Sequence, residues 1–327
     1  MATKVMHGQD VPAWIRGPAI QAMDLARSGI ESLAWPRRPQ AVNFEITAQC
    51  DARCIHCPRH EMDRSQRPMD FELFTRLIDQ AAELGVPSLY PNGFGEILTM
   101  RDQLVDKYLG YIRSKKHRFE IGLNSNGFRL TESKIRLFFK HEVDFINITL
   151  DGATAETFEK IRVNLKLDQC EANVHRLMEL RRELGLAYPR VRIGLIRISE
   201  NEHERPAFME KWNGKVDFVG IGGFTNRAGS LDASFEVGEH IPVTGACVLP
   251  FRDLNIWADG KAVLCCDDWN ESYVVGNLNE ESLEQIWHGP ALKKARELHM
   301  AGRGADLDIC RSCNMWRAPM RTARLWA

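Results

Sequence analysis

Seven of the nine cysteines fall into two sets whose spacing suits metal chemistry. The first set is Cys50, Cys54 and Cys57, with three residues and then two between them. A loop this short curls its side chains inward, so three thiols can occupy three corners of a cubane and leave one iron open. Structural zinc sites close with four protein ligands and ferredoxin clusters use four cysteines, so a compact set of three describes a metal site built to bind something further. Zinc is the competing reading, with His56 and His60 the nearby donors that could complete it. His56, between two thiols in a tight loop, reads instead as a residue packing beside the metal.

The second set opens with Cys247, then twelve residues, Gly260, four residues and Cys265, and it finishes with Cys310 and Cys313. Residues 254–257 and 261–264 read as two strands joined by a turn at Ala258-Asp259-Gly260, a hairpin that can bring Cys247 and Cys265 to one site. The close pair follows a helical stretch over 283–299 and supplies two more thiols. Four cysteines can close a site, and structural zinc competes here as well. Cys170 falls in an expected helix and reads as a small buried apolar residue. Cys266 neighbours an expected ligand and points the other way on a strand, so core, substitute ligand and hydrogen-atom donor all remain open.

Elements able to hold these residues alternate along the chain. Short apolar runs over 42–47, 88–93, 119–125, 145–150, 191–198 and 216–223 predict strands. Helical spacing over 71–84, 103–114, 132–139, 155–183 and 204–212 separates them. The fold class is therefore α/β, a parallel sheet covered on one side by helices, as in a partial barrel of six βα units. Sites in such barrels gather at the C-terminal strand ends, where Cys50, Glu96, Asn126 and Asp151 fall. Residues 1–41 are expected to form a helical extension with a helix over 19–33, residues 42–231 the barrel, and 232–327 a small metal-binding domain, with the connector over 232–240.

Composition excludes several classes. Forty-four acidic against 43 basic residues give no general attraction to nucleic acid or to an anionic membrane. The first thirty residues contain no long apolar run, so neither a signal peptide nor a membrane span is expected, and the cytoplasm is the expected compartment. Nine cysteines then indicate metal or redox chemistry rather than a disulfide scaffold.

Cys-x3-Cys-x2-Cys after an apolar strand, with a ring-bearing residue before the third cysteine, resembles the radical S-adenosylmethionine (SAM) enzymes. The resemblance implies a six-unit barrel and a 4Fe-4S cluster whose open iron binds the amino and carboxylate groups of SAM. One electron then cleaves SAM to methionine and a 5'-deoxyadenosyl radical that abstracts a hydrogen atom from substrate. Residues 93–98 resemble the family's Gly-Gly-Glu-Pro segment, with Phe94 and Ile97 replacing a glycine and the proline, which implies SAM contacts for Gly95 and Glu96. The same comparison implies SAM contacts for His56, Ser125, Asn126, Thr149, Asp151 and Arg162, the last as a carboxylate fork. Leu195 is implied to pack on the adenine. Turn formation, capping or a solvated helix charge are the plain alternatives for Glu96, Asn126, Asp151 and Arg162.

Cys247, Cys265, Cys310 and Cys313 resemble the opening of the SPASM and twitch domains, which carry auxiliary iron-sulfur clusters. No cysteine follows Cys313, so the shortened twitch version is expected, and with it two 4Fe-4S clusters in all. The offset of eighteen between Cys247 and Cys265 is similar to that in twitch-domain dehydrogenases of aminocyclitol antibiotic pathways, the 2-deoxy-scyllo-inosamine dehydrogenase type. This implies oxidation of an alcohol carbon to a ketone on a small polar substrate, an auxiliary cluster that takes the second electron, and a flavodoxin- or ferredoxin-type donor. Arg227, in the loop before the auxiliary domain, is implied to orient the substrate hydroxyl. Three rivals stand beside this reading: an epimerase using Cys266 as hydrogen-atom donor, a ribosomal-peptide maturase, and a zinc-stapled binding protein without the chemistry.

Overall fold

The computed structural model describes residues 36–238 and 246–315, so the helix expected over 19–33 and the end of the connector lie outside the described residues. The strands are β1 (Ala41–Phe44), β2 (Arg53–Cys54), β3 (Ser88–Tyr90), β4 (Glu120–Ser125), β5 (Phe145–Thr149), β6 (Arg162–Val163), β7 (Arg190–Arg197), β8 (Phe218–Gly223), β9 (Asp253–Ile256), β10 (Lys261–Val263) and β11 (Val274–Asn277). Six of them, β1, β3, β4, β5, β7 and β8, lie side by side in chain order and parallel, with helices in the connections. This is the partial barrel expected from the alternation of apolar runs and helical periods.

The sheet continues past β1. Strand β9 pairs with it in parallel, Val42 opposite Leu254, and β10 and β11 follow as an antiparallel meander. The C-terminal segment thus extends the barrel's own sheet. Among the described residues no helix is long and apolar enough to cross a membrane.

Alternation gives the two sheet faces different characters. Val42, Leu89, Ile121, Ile146, Val191 and Ile193 are buried in one apolar core with helix residues such as Phe74, Leu77 and Phe158. Their neighbours on the opposite, inner face are polar. Asn43 donates from Nδ2 to Asn255 Oδ1 at 3.1 Å, and Asn147 donates from Nδ2 to Asn124 Oδ1 at 2.9 Å.

Two expected helices are each divided. The stretch 155–183 breaks into Ala155–Ile161 and Leu167–Glu183, because Arg162 and Val163 leave the helix to pair with Cys54 and Arg53. Asn164 holds φ 77°, a left-handed conformation that turns the chain back into the second helix. The stretch 283–299 breaks into Leu283–Trp287 and Pro290–Met300, since Pro290 has no N–H to continue the first helix.

A buried ion pair clamps the barrel to the C-terminal meander. Arg64 donates to both oxygens of Glu45, at 2.6 and 2.9 Å, and from Nε to the Trp269 carbonyl at 2.7 Å. Its guanidinium lies 5.2 Å from the Trp257 ring, and Glu45 also accepts the Phe94 N–H at 2.9 Å. Arg64→Met leaves the Glu45 charge buried and unpaired and should cost about 3–5 kcal/mol. The check is the urea midpoint, with Glu45→Gln/Arg64→Met recovering part of the loss.

Candidate active site

The first thiol loop leaves the sheet just beyond β1 and is fixed at three points. Gly95 lies so close to it that an added Cβ would sit 1.9 Å from the Thr47 carbonyl oxygen, and the Glu96 N–H donates to the Gln49 carbonyl at 2.7 Å. The short β2–β6 pairing and the Ile55 N–H on the Ile161 carbonyl, 3.1 Å, hold the middle of the loop. Asn126 Nδ2 donates to Asp51 Oδ1 at 3.0 Å and stands 4.0 Å from Cys50 Sγ. Gly95 is thus required by backbone contact, whatever else it touches.

Asp151, fully buried, is the hub beside this loop. It accepts from Arg162 Nε and Nη2, both at 2.7 Å, and from the Ile196 N–H at 2.8 Å, and His56 Nε2 lies 3.4 Å away. Arg162 Nη1 reaches Cys54 Sγ at 3.6 Å. The fork expected for the SAM carboxylate therefore grips Asp151 and supports a thiol. Burial lowers the His56 pKa to about 4, against the pull of Asp151, so the ring is neutral at ordinary pH.

Glu96 is also buried and both its oxygens are engaged. Oε1 accepts from Ser125 Oγ at 3.0 Å and the Leu98 N–H at 3.1 Å, and Oε2 accepts the Asn126 N–H at 2.7 Å. Ser125 and Asn126 are thereby tied to Glu96 at the end of β4. Thr149 lies on the inner face, opposite Gly194. Leu195 needs correction: alternation turns it, with Ile193, into the helix-packed core, and the inner face at this level carries Gly194 and Ile196 instead.

The second thiol set lines an enclosed cavity with Cys247, Cys265, Cys310 and Cys313 in its wall. His299, which the sequence did not single out, joins it: Nδ1 accepts the Cys247 N–H at 3.3 Å and Nε2 is 3.5 Å from Cys310 Sγ. Between the two sets lies Arg227, donating from Nη1 to Asp267 Oδ1 at 2.6 Å with its guanidinium 5.5 Å from the Phe94 ring. Phe94 in turn meets Trp257 edge-on at 5.9 Å. Asp267 lines the cavity of the second thiol set, and on the other side Arg227 lies near enough to Cys57 and His56 for their charges to interact.

Burial pushes the thiols of Cys50, Cys247 and Cys310 up to about 12, so thiolates there need a strong electrophile to offset the loss of water. Thiols gathered in one short loop and around one enclosed cavity are the donors that iron-sulfur clusters take. His56 Nδ1, Arg227 Nε and Asp267 Oδ2 are buried without a partner, as in a site that a bound group completes.

Burial, reinforced by Asp51, raises the Glu96 pKa to about 7 against its hydrogen bonds. A carboxyl whose folded pKa lies above its unfolded one is best tolerated below the unfolded value, and its contribution to stability falls as pH rises through about 7. Between pH 5 and 8 the wild type should lose about 2 kcal/mol relative to Glu96→Gln. Denaturant titrations of the two metal-free proteins at both pH values check this.

Residues 44–211, just over half of the chain, match the radical SAM superfamily, and residues 247–314 match the SPASM iron-sulfur cluster-binding domain. The S-adenosyl-L-methionine-dependent 2-deoxy-scyllo-inosamine dehydrogenase of Niallia circulans is 20% identical over 84% of this chain and 92% of its own length. Among solved structures, BtrN in complex with AdoMet and 2-DOIA superposes with a TM-score of 0.60 at 20% identity, covering 84% of this chain and 93% of that one. Streptococcus suis SuiB bound to precursor peptide SuiA gives a TM-score of 0.64 at 12% identity, covering 91% and 74%. At these identities the structures show a shared fold. The chain belongs to the radical SAM superfamily, with a C-terminal SPASM iron-sulfur domain on its barrel.

Proposed function

We propose that the protein is a radical SAM dehydrogenase that oxidises an alcohol carbon of a small polyhydroxylated substrate, an aminocyclitol or sugar alcohol, to a ketone. Cys50, Cys54 and Cys57 would hold the cluster that binds SAM, and Cys247, Cys265, Cys310 and Cys313 a second cluster. When bound, these groups supply a hydrogen-abstracting radical and an acceptor for the second electron, with a flavodoxin- or ferredoxin-type protein as the outside donor.

The carrying observation is the Arg227–Asp267 pair between the two thiol sets. A dehydrogenation of this kind needs a substrate within reach of both sets and a group that fixes its hydroxyl. Arg227 stays protonated at all working pH values, so it donates hydrogen bonds and orients rather than removing a proton. Asp267, with one oxygen on Arg227 and the other unpartnered, holds that guanidinium in place. The Niallia circulans relative is named for an aminocyclitol substrate, which supports the substrate class.

Cys266 favours a second reading. Burial and the Asp267 charge push its pKa well up, so it keeps its S–H hydrogen, and it lies in the field of Arg227. A retained S–H is what an epimerase requires of a hydrogen-atom donor.

The deciding experiment is an anaerobic assay of the reconstituted protein with SAM, reductant and a panel of aminocyclitols and sugar alcohols in deuterated water, read by mass spectrometry. Loss of two mass units with equimolar 5'-deoxyadenosine is expected, with iron and sulfide each at about eight per chain. Gain of one deuterium at constant composition, abolished by Cys266→Ala, would overturn the dehydrogenase in favour of the epimerase. Cys265→Ser should lower iron to about four per chain and stop ketone formation while SAM cleavage continues.

A further inference from the structure

Three inner-face residues form a row across the centre of the barrel. Strand register places Asn124, Asn147 and Arg192 side by side on β4, β5 and β7. Arg192 Nη1 donates to Asn147 Oδ1 at 2.9 Å, Asn147 Nδ2 donates to Asn124 Oδ1 at 2.9 Å, and the Asn124 N–H donates to Asn92 Oδ1 at 2.8 Å. On β8 the guanidinium lies across Gly220, where an added Cβ would come within 2.4 Å of Nη2 and 2.9 Å of Nε. The absence of a side chain there gives the fork its place.

The row has an unbalanced charge. Arg64, Arg162, Arg227 and Arg252 each pair with a carboxylate, Glu45, Asp151, Asp267 and Asp253 in turn. Among the described residues Arg192 pairs with none, and desolvation alone acts on it. The hydrogen bond to Asn147 uses one of its five N–H donors. The residue as a whole is only half-buried. Asn124 is exposed although it lies on a strand flanked by two others, which requires the inner face to open onto a cavity.

An uncompensated cation that burial strips of water is costly unless a ligand completes it. Purely structural use is a poor match, since among the described residues Asn147 is its one side-chain partner and an amide pair would hold those strands as well. Resting on the dehydrogenase reading above, we propose that Arg192, with Asn147 and Asn124, receives an oxyanion of the substrate, a carboxylate or phosphate carried by the polyhydroxylated skeleton. The Arg192 backbone stands four residues, about 13 Å, below Ile196, whose N–H bonds Asp151 at the rim, and its guanidinium reaches up to the level of Gly194 and Gly220, still below that rim. The anionic end is thus held deep in the barrel and the reacting carbon lies toward the thiol loop. A free ammonium at the deep end is disfavoured.

The test reads binding without turnover, so it stands apart from the assay for dehydrogenation. Reconstituted protein with SAM and no reductant is titrated calorimetrically with myo-inositol 1-phosphate, glucuronate, myo-inositol and scyllo-inosamine. At least one oxyanion should bind on the order of 30-fold tighter than the neutral polyol. Whether phosphate or carboxylate leads separates the two sources of the oxyanion. Arg192→Gln and Gly220→Ala should both remove the preference, Arg192→Lys should keep part of it, and SAM affinity should hold in all three. The proposal is overturned if the amine binds tightest, if no oxyanion binds, if Arg192→Gln keeps the preference, or if it is SAM affinity that falls.

Discussion

The parallel pairing of β9 with β1 is the constraint on which both metal sites depend. A strand with parallel neighbours on both edges cannot shift without breaking two ladders and the apolar layer behind them. β1 therefore delivers the Cys50 loop from a fixed point. β9 starts a meander whose return segment, 267–269, comes back against the same region: Trp257 Nε1 donates to the Asp268 carbonyl at 2.9 Å and Arg64 Nε to the Trp269 carbonyl at 2.7 Å. The Glu45–Arg64 pair locks this contact, with Glu45 fully buried. A pair so deep contributes less to net stability than to uniqueness of arrangement, because most of its attraction offsets lost hydration. What it specifies is the approach of the auxiliary segment to the barrel mouth.

Facing β1 and its neighbours, the two sides of the sheet divide the work. The helix side is apolar and carries the cohesion of the barrel. The inner side carries Asn, Arg and Gly in place of the large branched residues that would fill a closed barrel. Each inner polar group needs a partner, and several find one across strands. Others, Arg227 Nε and Asp267 Oδ2 nearby among them, have no partner among the described residues, the condition in which a folded protein keeps binding energy available.

Much of this was legible in the sequence where the signal was local. The three-cysteine loop, the six βα units and the hairpin between Cys247 and Cys265 each rest on short-range spacing, and the fold has those elements. Alternation along 191–198 marked a strand but could not say which face looked inward, and so Leu195 was assigned to the wrong side. Helical periodicity ran unbroken through 155–183, and only the pairing of Arg162 with Cys54, 108 positions away, interrupts it. Glu45–Arg64, Arg227–Asp267 and His299 beside Cys310 left no trace, since each joins different elements and follows no periodicity of strand or helix.

Arg227 shows how those long-range contacts set a side chain beside both thiol sets. It and Ala228 hold φ of 49° and 58°, a left-handed pair without glycine that costs on the order of 1–3 kcal/mol at each residue. Such a turn persists only when its surroundings determine it. Here Asn226 does so: its N–H donates to Asn314 Oδ1 at 2.9 Å, its Nδ2 to the Ser312 carbonyl at 2.7 Å, and its Oδ1 accepts the Gly229 N–H at 3.0 Å. Ser312 and Asn314 flank Cys313. The segment that closes the second thiol set is therefore the one that bends the backbone under Arg227, and Asp267, two residues after Cys265, then takes its guanidinium. The position of Cys313 in the second thiol set and the direction of the Arg227 side chain are set by the same few residues.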